Sequence, residues 1–421
     1  MKKRILVFLL SMLAVFLLAG CAMWTVEDLY CLPKRALKDD NLQAVMSEAM
    51  SGLSYCAPLG GENRQPVRYA DLDGDGSDEY ILLAKDHSDQ PLKFIIISRL
   101  ASGYQRMATI EGYGTDFDFV ELADMDDTPG MELIVGRQIN EDVSCAMSIY
   151  RFSSGTATEL VNTRYSKRLI VDLDGDGHSE LLLLGPSDSR DRSSMAVVYR
   201  VDDGQVIADS QLELPCRAAR VKRMEQMTLK DGTKTVLVVA DENSGTSLEI
   251  FSYVDGGLQQ FVSTIKISTL QGSSVYPTDM NADGKVDLPE IRTVPVIVTG
   301  YPQEYYVAWY NLTAQGEKRI QLYAYHNLAD KWHLRLESGW PEGMTVTRQK
   351  GVTTFKDMKG QLVMSIHALT DSNRQQQAAL LEGITLATGD GVIYVAVLGP
   401  AAENFGMSQE SLKNHFSATG L

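Results

Sequence analysis

Two nearly identical acidic stretches hold the residues best suited to chemistry. One is Asp71-Leu72-Asp73-Gly74-Asp75-Gly76-Ser77-Asp78-Glu79, and the other is Asp172-Leu173-Asp174-Gly175-Asp176-Gly177-His178-Ser179-Glu180. Each puts carboxylates at loop positions 1, 3, 5 and 9 and a glycine at position 6. Alternating ligands and spacers turn side-chain oxygens inward, and a glycine that accepts positive φ lets the chain fold back on itself. Calcium, a hard cation that takes oxygen ligands, is the cofactor this spacing predicts. Position 7 needs only its carbonyl, so Ser77 and His178 enter the set through the backbone and the imidazole of His178 is a bystander. Without a cation, so many carboxylates in one loop would repel one another.

Two further stretches follow the pattern with different fidelity. Asp279-Met280-Asn281-Ala282-Asp283-Gly284-Lys285-Val286-Asp287 supplies Asp279, Asn281, Asp283, the Lys285 carbonyl and Asp287 as ligands. Glu290 stands where an EF-hand would close, but the β-branched, proline-containing Thr293 to Val298 does not continue as a helix. A strand-flanked loop closed by Asp287 is therefore expected. In Asp124-Met125-Asp126-Asp127-Thr128-Pro129-Gly130-Met131-Glu132, Thr128 replaces the acid at position 5 and Pro129 the glycine at position 6. Proline cannot take positive φ, so this copy is expected to survive as a turn without metal.

The elements that must carry these loops read as strands. Four extended runs, about 68–72, 80–84, 92–100 and 104–111, are separated by turn residues such as Ser102-Gly103, and the same sequence of runs recurs. Asp71, Asp124, Asp172 and Asp279 open loops at intervals of 53, 48 and 107 residues, so a unit without acids lies in the last interval. Its loop slot is placed at Met224-Glu225-Gln226. A fifth unit is read as strands at 275–278, 291–298, 305–311 and 319–325. A period near 50 with four strands per unit predicts a mainly β chain: a β-propeller of about five four-stranded repeats over residues 66–328. A helix over about 39–51 precedes it, within an N-terminal segment 21–65, and residues 329–421 read as a small α+β domain ending in a helix capped by Ser408.

The loops at Asp71 to Glu79, Asp172 to Glu180 and Asp279 to Asp287 resemble the calcium loops of FG-GAP/VCBS-type repeats, the integrin-α-like propeller family. The likeness covers roughly residues 66 to 325. The Phe-Gly and Gly-Ala-Pro signatures of that family are not evident. The resemblance implies a calcium-rigidified propeller that displays a binding surface.

The N-terminus reads as an address. Lys2, Lys3 and Arg4 precede an apolar run ending in Leu18-Ala19-Gly20-Cys21, which resembles the bacterial lipobox. That resemblance implies a signal peptide over 1–20, diacylglycerol on Cys21, and a lipid-anchored protein on the extracytoplasmic face of the cell membrane. No later segment is long and apolar enough to span a bilayer. Of the remaining cysteines, Cys31 and Cys56 flank one short helix and could pair, while Cys145 and Cys216 read as strand thiols.

A net charge of −16 excludes a nucleic-acid backbone as partner, because no basic patch is available to displace counterions. The chain lacks HExxH, GxSxG, Walker and GxGxxG signatures, and the loops account for its close carboxylates. Tyr301, Tyr305, Tyr306, Trp309 and Tyr310 are expected to pack rather than bind. Two readings of function follow. The first is a non-enzymatic scaffold binding a protein or glycan; the second is an exported hydrolase of envelope polymer.

Overall fold

A computed structural model describes residues 40–139, 145–186, 193–296 and 300–418. The expected signal peptide over 1–20, the lipobox-like stretch with Cys21, and Cys31 lie outside the described residues. Contacts divide the chain into two compact units, one reaching Tyr165 and including Val201–Val206, the other comprising Ser166–Arg200 and everything from Ile207 onward. The protein is mainly β, built from antiparallel sheets that follow one another along the chain.

The first unit opens with helix α1 (Asp40–Ala49). Its Leu42, Met46 and Ala49 recur at helical spacing and are buried against Leu82, Ile95 and Ile97. The Asn41 side chain accepts from Tyr104 N at 2.8 Å and donates to its carbonyl at 3.2 Å, which pins the helix to the neighbouring hairpin. The first sheet holds β1 (Ser54–Tyr55), β2 (Val67–Ala70), β3 (Glu79–Lys85), β4 (Leu92–Leu100) and β5 (Gly103–Gly112). β1 and β2 share one edge of β3, and β4 and β5 follow in order. The second sheet is a plain meander of β6 (Asp116–Ala123), β7 (Glu132–Gln138), β8 (Cys145–Ser153) and β9 (Thr156–Tyr165). Between them lies a core that includes Ile81, Leu83, Phe94, Phe117, Val120, Val135 and Phe152.

Two further four-stranded meanders follow, in the second unit except for the turn segment Val201–Val206. One is β10 (Lys167–Val171), β11 (Glu180–Pro186), β12 (Ser194–Asp202) and β13 (Gln205–Leu214), and the other β14 (Val221–Thr228), β15 (Lys234–Glu242), β16 (Gly245–Val254) and β17 (Gly257–Ser268). The central strands β11 and β15 are near-continuous apolar runs because both faces are covered. A register shift recurs between β4 and β5 at Ile96/Ile97, β8 and β9 at Ile149/Tyr150, β16 and β17 at Leu248/Ile250, and in the next sheet at Trp309/Tyr310. These bulges mark the sheets as repeats independently of the acidic loops.

The fifth sheet departs from expectation at both edges. The run 275–278 forms no strand and contributes a single bridge between Thr278 and Asp287. The sheet proper is β18 (Leu288–Thr293), β19 (Tyr305–Leu312), β20 (Lys318–Asn327), β21 (Trp332–Leu336) and, from the far end of the chain, β27 (Phe416–Ala418). β21 pairs with β20 across the expected boundary at 328/329. Beyond it, β22 (Met344–Gln349), β23 (Val352–Asp357), β24 (Leu362–Leu369), β25 (Ile384–Gly389) and β26 (Val392–Leu398) form another antiparallel sheet in the order β22-β23-β24-β26-β25. Three short helices accompany them: α2 (Trp340–Gly343), α3 (Arg374–Leu380) and α4 (Gln409–His415), the last capped by Ser408 as expected. Tyr325, Trp332, Phe355, Ile366, Tyr394 and Phe416 belong to one buried cluster. The C-terminal segment therefore shares its core with the fifth sheet instead of standing apart from the repeats.

Tyr306, Trp309 and Tyr310 are buried, as packing residues should be, while Tyr301 is exposed. Cys56 and Cys216 are buried free thiols. Among the described residues, no helix is long and apolar enough to cross a membrane.

Candidate metal centre

Three of the acidic loops join consecutive strands, β2 to β3, β6 to β7 and β10 to β11, the fourth leads from the Thr278 bridge into β18, and the same backbone pairing closes all four. The residue before position 1 pairs with the acid at position 9: Ala70 with Glu79, Ala123 with Glu132, Val171 with Glu180, and Thr278 with Asp287. In all four loops that closing acid accepts the N–H of position 2. The bonds are Leu72 to Glu79 at 2.9 Å, Met125 to Glu132 at 3.1 Å, Leu173 to Glu180 at 2.7 Å and Met280 to Asp287 at 3.1 Å. The closing acid thus turns inward while the chain curls around it.

In the first loop, Asp71 accepts the N–H groups of Gly74, Asp75 and Gly76, at 2.7, 3.1 and 2.9 Å. Gly74 and Gly76 take φ of 73° and 87°, which glycine alone adopts freely. Oxygens of Asp71, Asp73 and Glu79 lie within 4.8 Å of one another, and so do those of Asp172, Asp174 and Glu180. Asp75 and Asp176 stand outside these trios; each accepts a backbone N–H two residues on, from Ser77 and His178. Asp279 and Asp283 repeat this pattern with Gly284 and Lys285, and Asn281 accepts from Asp283 N at 3.0 Å. The carboxylates of that loop do not draw together as the other two trios do.

Electrostatics set the closing acids apart. Glu79 is 1% exposed, Glu180 2% and Asp287 0%. Desolvation pushes Glu79 up to about 7, helped by the charges of Asp73 and Asp75 and opposed by the Leu72 N–H. Glu180 rises to about 7 for the same reason, burial first and then its neighbouring aspartates, against the Leu173 N–H. Asp287 rises to about 6, again chiefly through burial. The closing acids themselves have no basic side chain among the causes of their shifts, and a divalent cation would neutralise carboxylates gathered in this way. The carboxylate oxygens present fit a hard cation.

The second loop is filled differently. Arg151, on β8, donates from Nη2 to Asp126 Oδ2 at 2.5 Å and to Glu132 Oε1 at 2.6 Å, and from Nε to Glu132 Oε1 at 2.8 Å. Although burial opposes it, hydrogen bonds from Thr128 and Arg151 hold Asp126 below the ordinary carboxylate range. The positive φ moves to Gly130, at 108°. Arg151 escaped the sequence reading because it lies nineteen residues beyond Glu132 and meets it only through strand register.

In the fourth sheet, the slot assigned to Met224-Glu225-Gln226 lies inside β14. The connection is the short turn Leu229 to Thr233, closed by Leu229 N to Thr233 O at 2.8 Å. The apolar spacing of Val221, Met227 and Leu229 carries the strand through the expected loop position. Neighbouring loops also touch. A Cβ on Gly74 would lie 2.2 Å from Pro129 Cβ, and the Lys234 ammonium stands 3.4 Å from Asp172 Oδ2. Lys285 reaches the carbonyls of Leu229 and Lys230.

The fold and loops together define a class, a mainly β chain of repeated antiparallel sheets, four of which are entered through a loop with an inward-facing acid. No family model matches the chain, and no curated protein matches it. It is similar to a crystal structure of a protein from Lactobacillus plantarum at 12% identity and a TM-score of 0.32, over 72% of this chain and 84% of that one.

Proposed function

We propose that the chain is a lipid-anchored, extracytoplasmic lipoprotein whose successive sheets are the blades of a calcium-stabilised β-propeller. On this reading it is a non-enzymatic scaffold that presents a surface to a protein or glycan. The observation that carries the proposal is the pair of carboxylate trios at Asp71, Asp73, Glu79 and Asp172, Asp174, Glu180, each closed by an almost wholly buried acid. Such a trio costs stability when empty and holds a strand-to-strand turn rigid when filled. The recurrent meander with a bulge at the same place supports the propeller reading, and the Leu18-Ala19-Gly20-Cys21 motif supports the anchor.

Melting of the soluble form lacking residues 1–21 tests the metal reading. Calcium should raise the melting temperature and EDTA lower it, and Asp172→Ala should weaken that response more than Asp124→Ala. A melting temperature indifferent to both reagents would end the calcium reading. A pull-down from the cell's own envelope, with and without calcium, then addresses the partner.

A further inference from the structure

The place opposite the closing acid of each loop differs from sheet to sheet. One step beyond the pair Leu133–Tyr150, the third strand of the second sheet puts Arg151 beside Glu132. The same step beyond Tyr80–Ile97 reaches Ser98 in the first sheet. Beyond Leu181–Tyr199 it reaches Arg200, whose Nε donates to Asp209 at 3.0 Å. Beyond Leu288–Tyr310 it reaches Asn311, whose amide, oriented to satisfy both its ends, donates to Asp287 at 2.6 Å.

We infer that Arg151 is the resident cation of the second loop: its guanidinium bridges Asp126 and Glu132, the acids at positions 3 and 9, where the first and third loops gather the corresponding oxygens for a divalent ion. The inference rests on the metal reading of those two loops. A guanidinium is a permanent positive charge with a planar fork of donors, so it neutralises two carboxylates and fixes their orientation at once. It spans both acids from a neighbouring strand, as an ion would from the loop centre. A loop closed in this way does not need the glycine at position 6, which accounts for the tolerance of Pro129. It also stays closed when metal is scarce. Because Pro129 and Gly130 lie directly against Gly74 and Leu72, the closed second loop gives the first loop a fixed wall on that side.

Exchanging the two residues tests the assignment. Arg151→Ser gives the second loop the side chain that the first has at Ser98, and Ser98→Arg does the reverse. Equilibrium dialysis of the full chain in detergent against radioactive calcium counts the sites, with circular dichroism confirming the fold. Arg151→Ser should bind one more calcium per chain than the unmodified protein, and Ser98→Arg one fewer. Arg151→Lys, which keeps the charge, should bind the same number. Unmodified stoichiometry in folded Arg151→Ser or folded Ser98→Arg overturns the inference while leaving the metal reading in place. If the unmodified protein binds no calcium, the metal reading falls and the inference with it. Either exchange decides alone if the other does not fold.

Discussion

A carboxylate taken out of water must be neutralised by a proton, a metal ion or a neighbouring base, and the closing acids of these loops divide along that line. Glu132 has Arg151. Glu79 has the Leu72 N–H, the Ser98 hydroxyl and further acids around it, Glu180 has the Leu173 N–H and further acids, and burial raises the affinity of both for protons. Glu79→Gln keeps an oxygen for the Leu72 N–H and removes the charge. The metal-free protein should therefore gain stability, on the order of 1 kcal/mol, because one pKa unit corresponds to roughly that amount. The same variant should lose the calcium response of the first loop. Urea denaturation in EDTA and in calcium reads both effects; a less stable metal-free variant would show that Glu79 is already neutralised within the chain. The spacing of Asp71, Asp73 and Glu79 was legible in the sequence because these ligands are neighbours along the chain. Arg151 was not, because its partnership depends on how strands pair, and spacing carries no record of that.

At the scale of the loop and its strands, the two glycines of the first loop look alike in sequence and differ in surroundings. Gly76 has φ of 87° and nothing within 4 Å of the place a Cβ would take. Gly74 has φ of 73° and the backbone of Pro129 and Gly130 within 3 Å. Gly76→Ala should cost only the left-handed strain, about 1 kcal/mol. Gly74→Ala adds a clash with backbone that cannot swing aside, so about 3 kcal/mol is expected. Equal losses in thermal unfolding would mean that the loops do not abut. Apolar runs bounded by turn residues made most strands readable in advance, as with Leu92 to Leu100. The reading failed where a strand was replaced by a lone bridge at Thr278, and where Trp332 to Leu336 extended an existing sheet instead of starting a new domain. Both failures concern partners at a sheet edge, which local pattern does not encode.

Across the whole molecule, stability should depend on pH through groups remote from the loops. Trp309 Nε1 donates to His326 Nε2 at 3.2 Å, and the His326 ring stacks on His333 with centroids 5.2 Å apart. Burial, with His333 adding to it, lowers His326 to about 3, and burial, with Arg335 adding to it, also lowers His333. An unfolded histidine takes up a proton below about 6.5, whereas folded His326 stays neutral until about 3. The unfolded state thus binds more protons in that window, and stability falls as pH drops through it. Relative to His326→Gln, the unmodified protein should lose up to about 1.4 kcal/mol per pH unit below 6.5. Urea midpoints between pH 7.5 and pH 5 give the difference, and a flat difference curve would show that His326 is protonated in the fold.

The bond from position 2 to the closing acid also makes each loop individually observable. The amide protons of Leu72, Met125, Leu173 and Met280 lie in four separate loops, each held by one carboxylate. When a loop loosens, its proton loses its acceptor and exchanges with solvent deuterium. The chain therefore carries one internal reporter per loop, and a single exchange spectrum can record four local openings that a melting curve would merge into one.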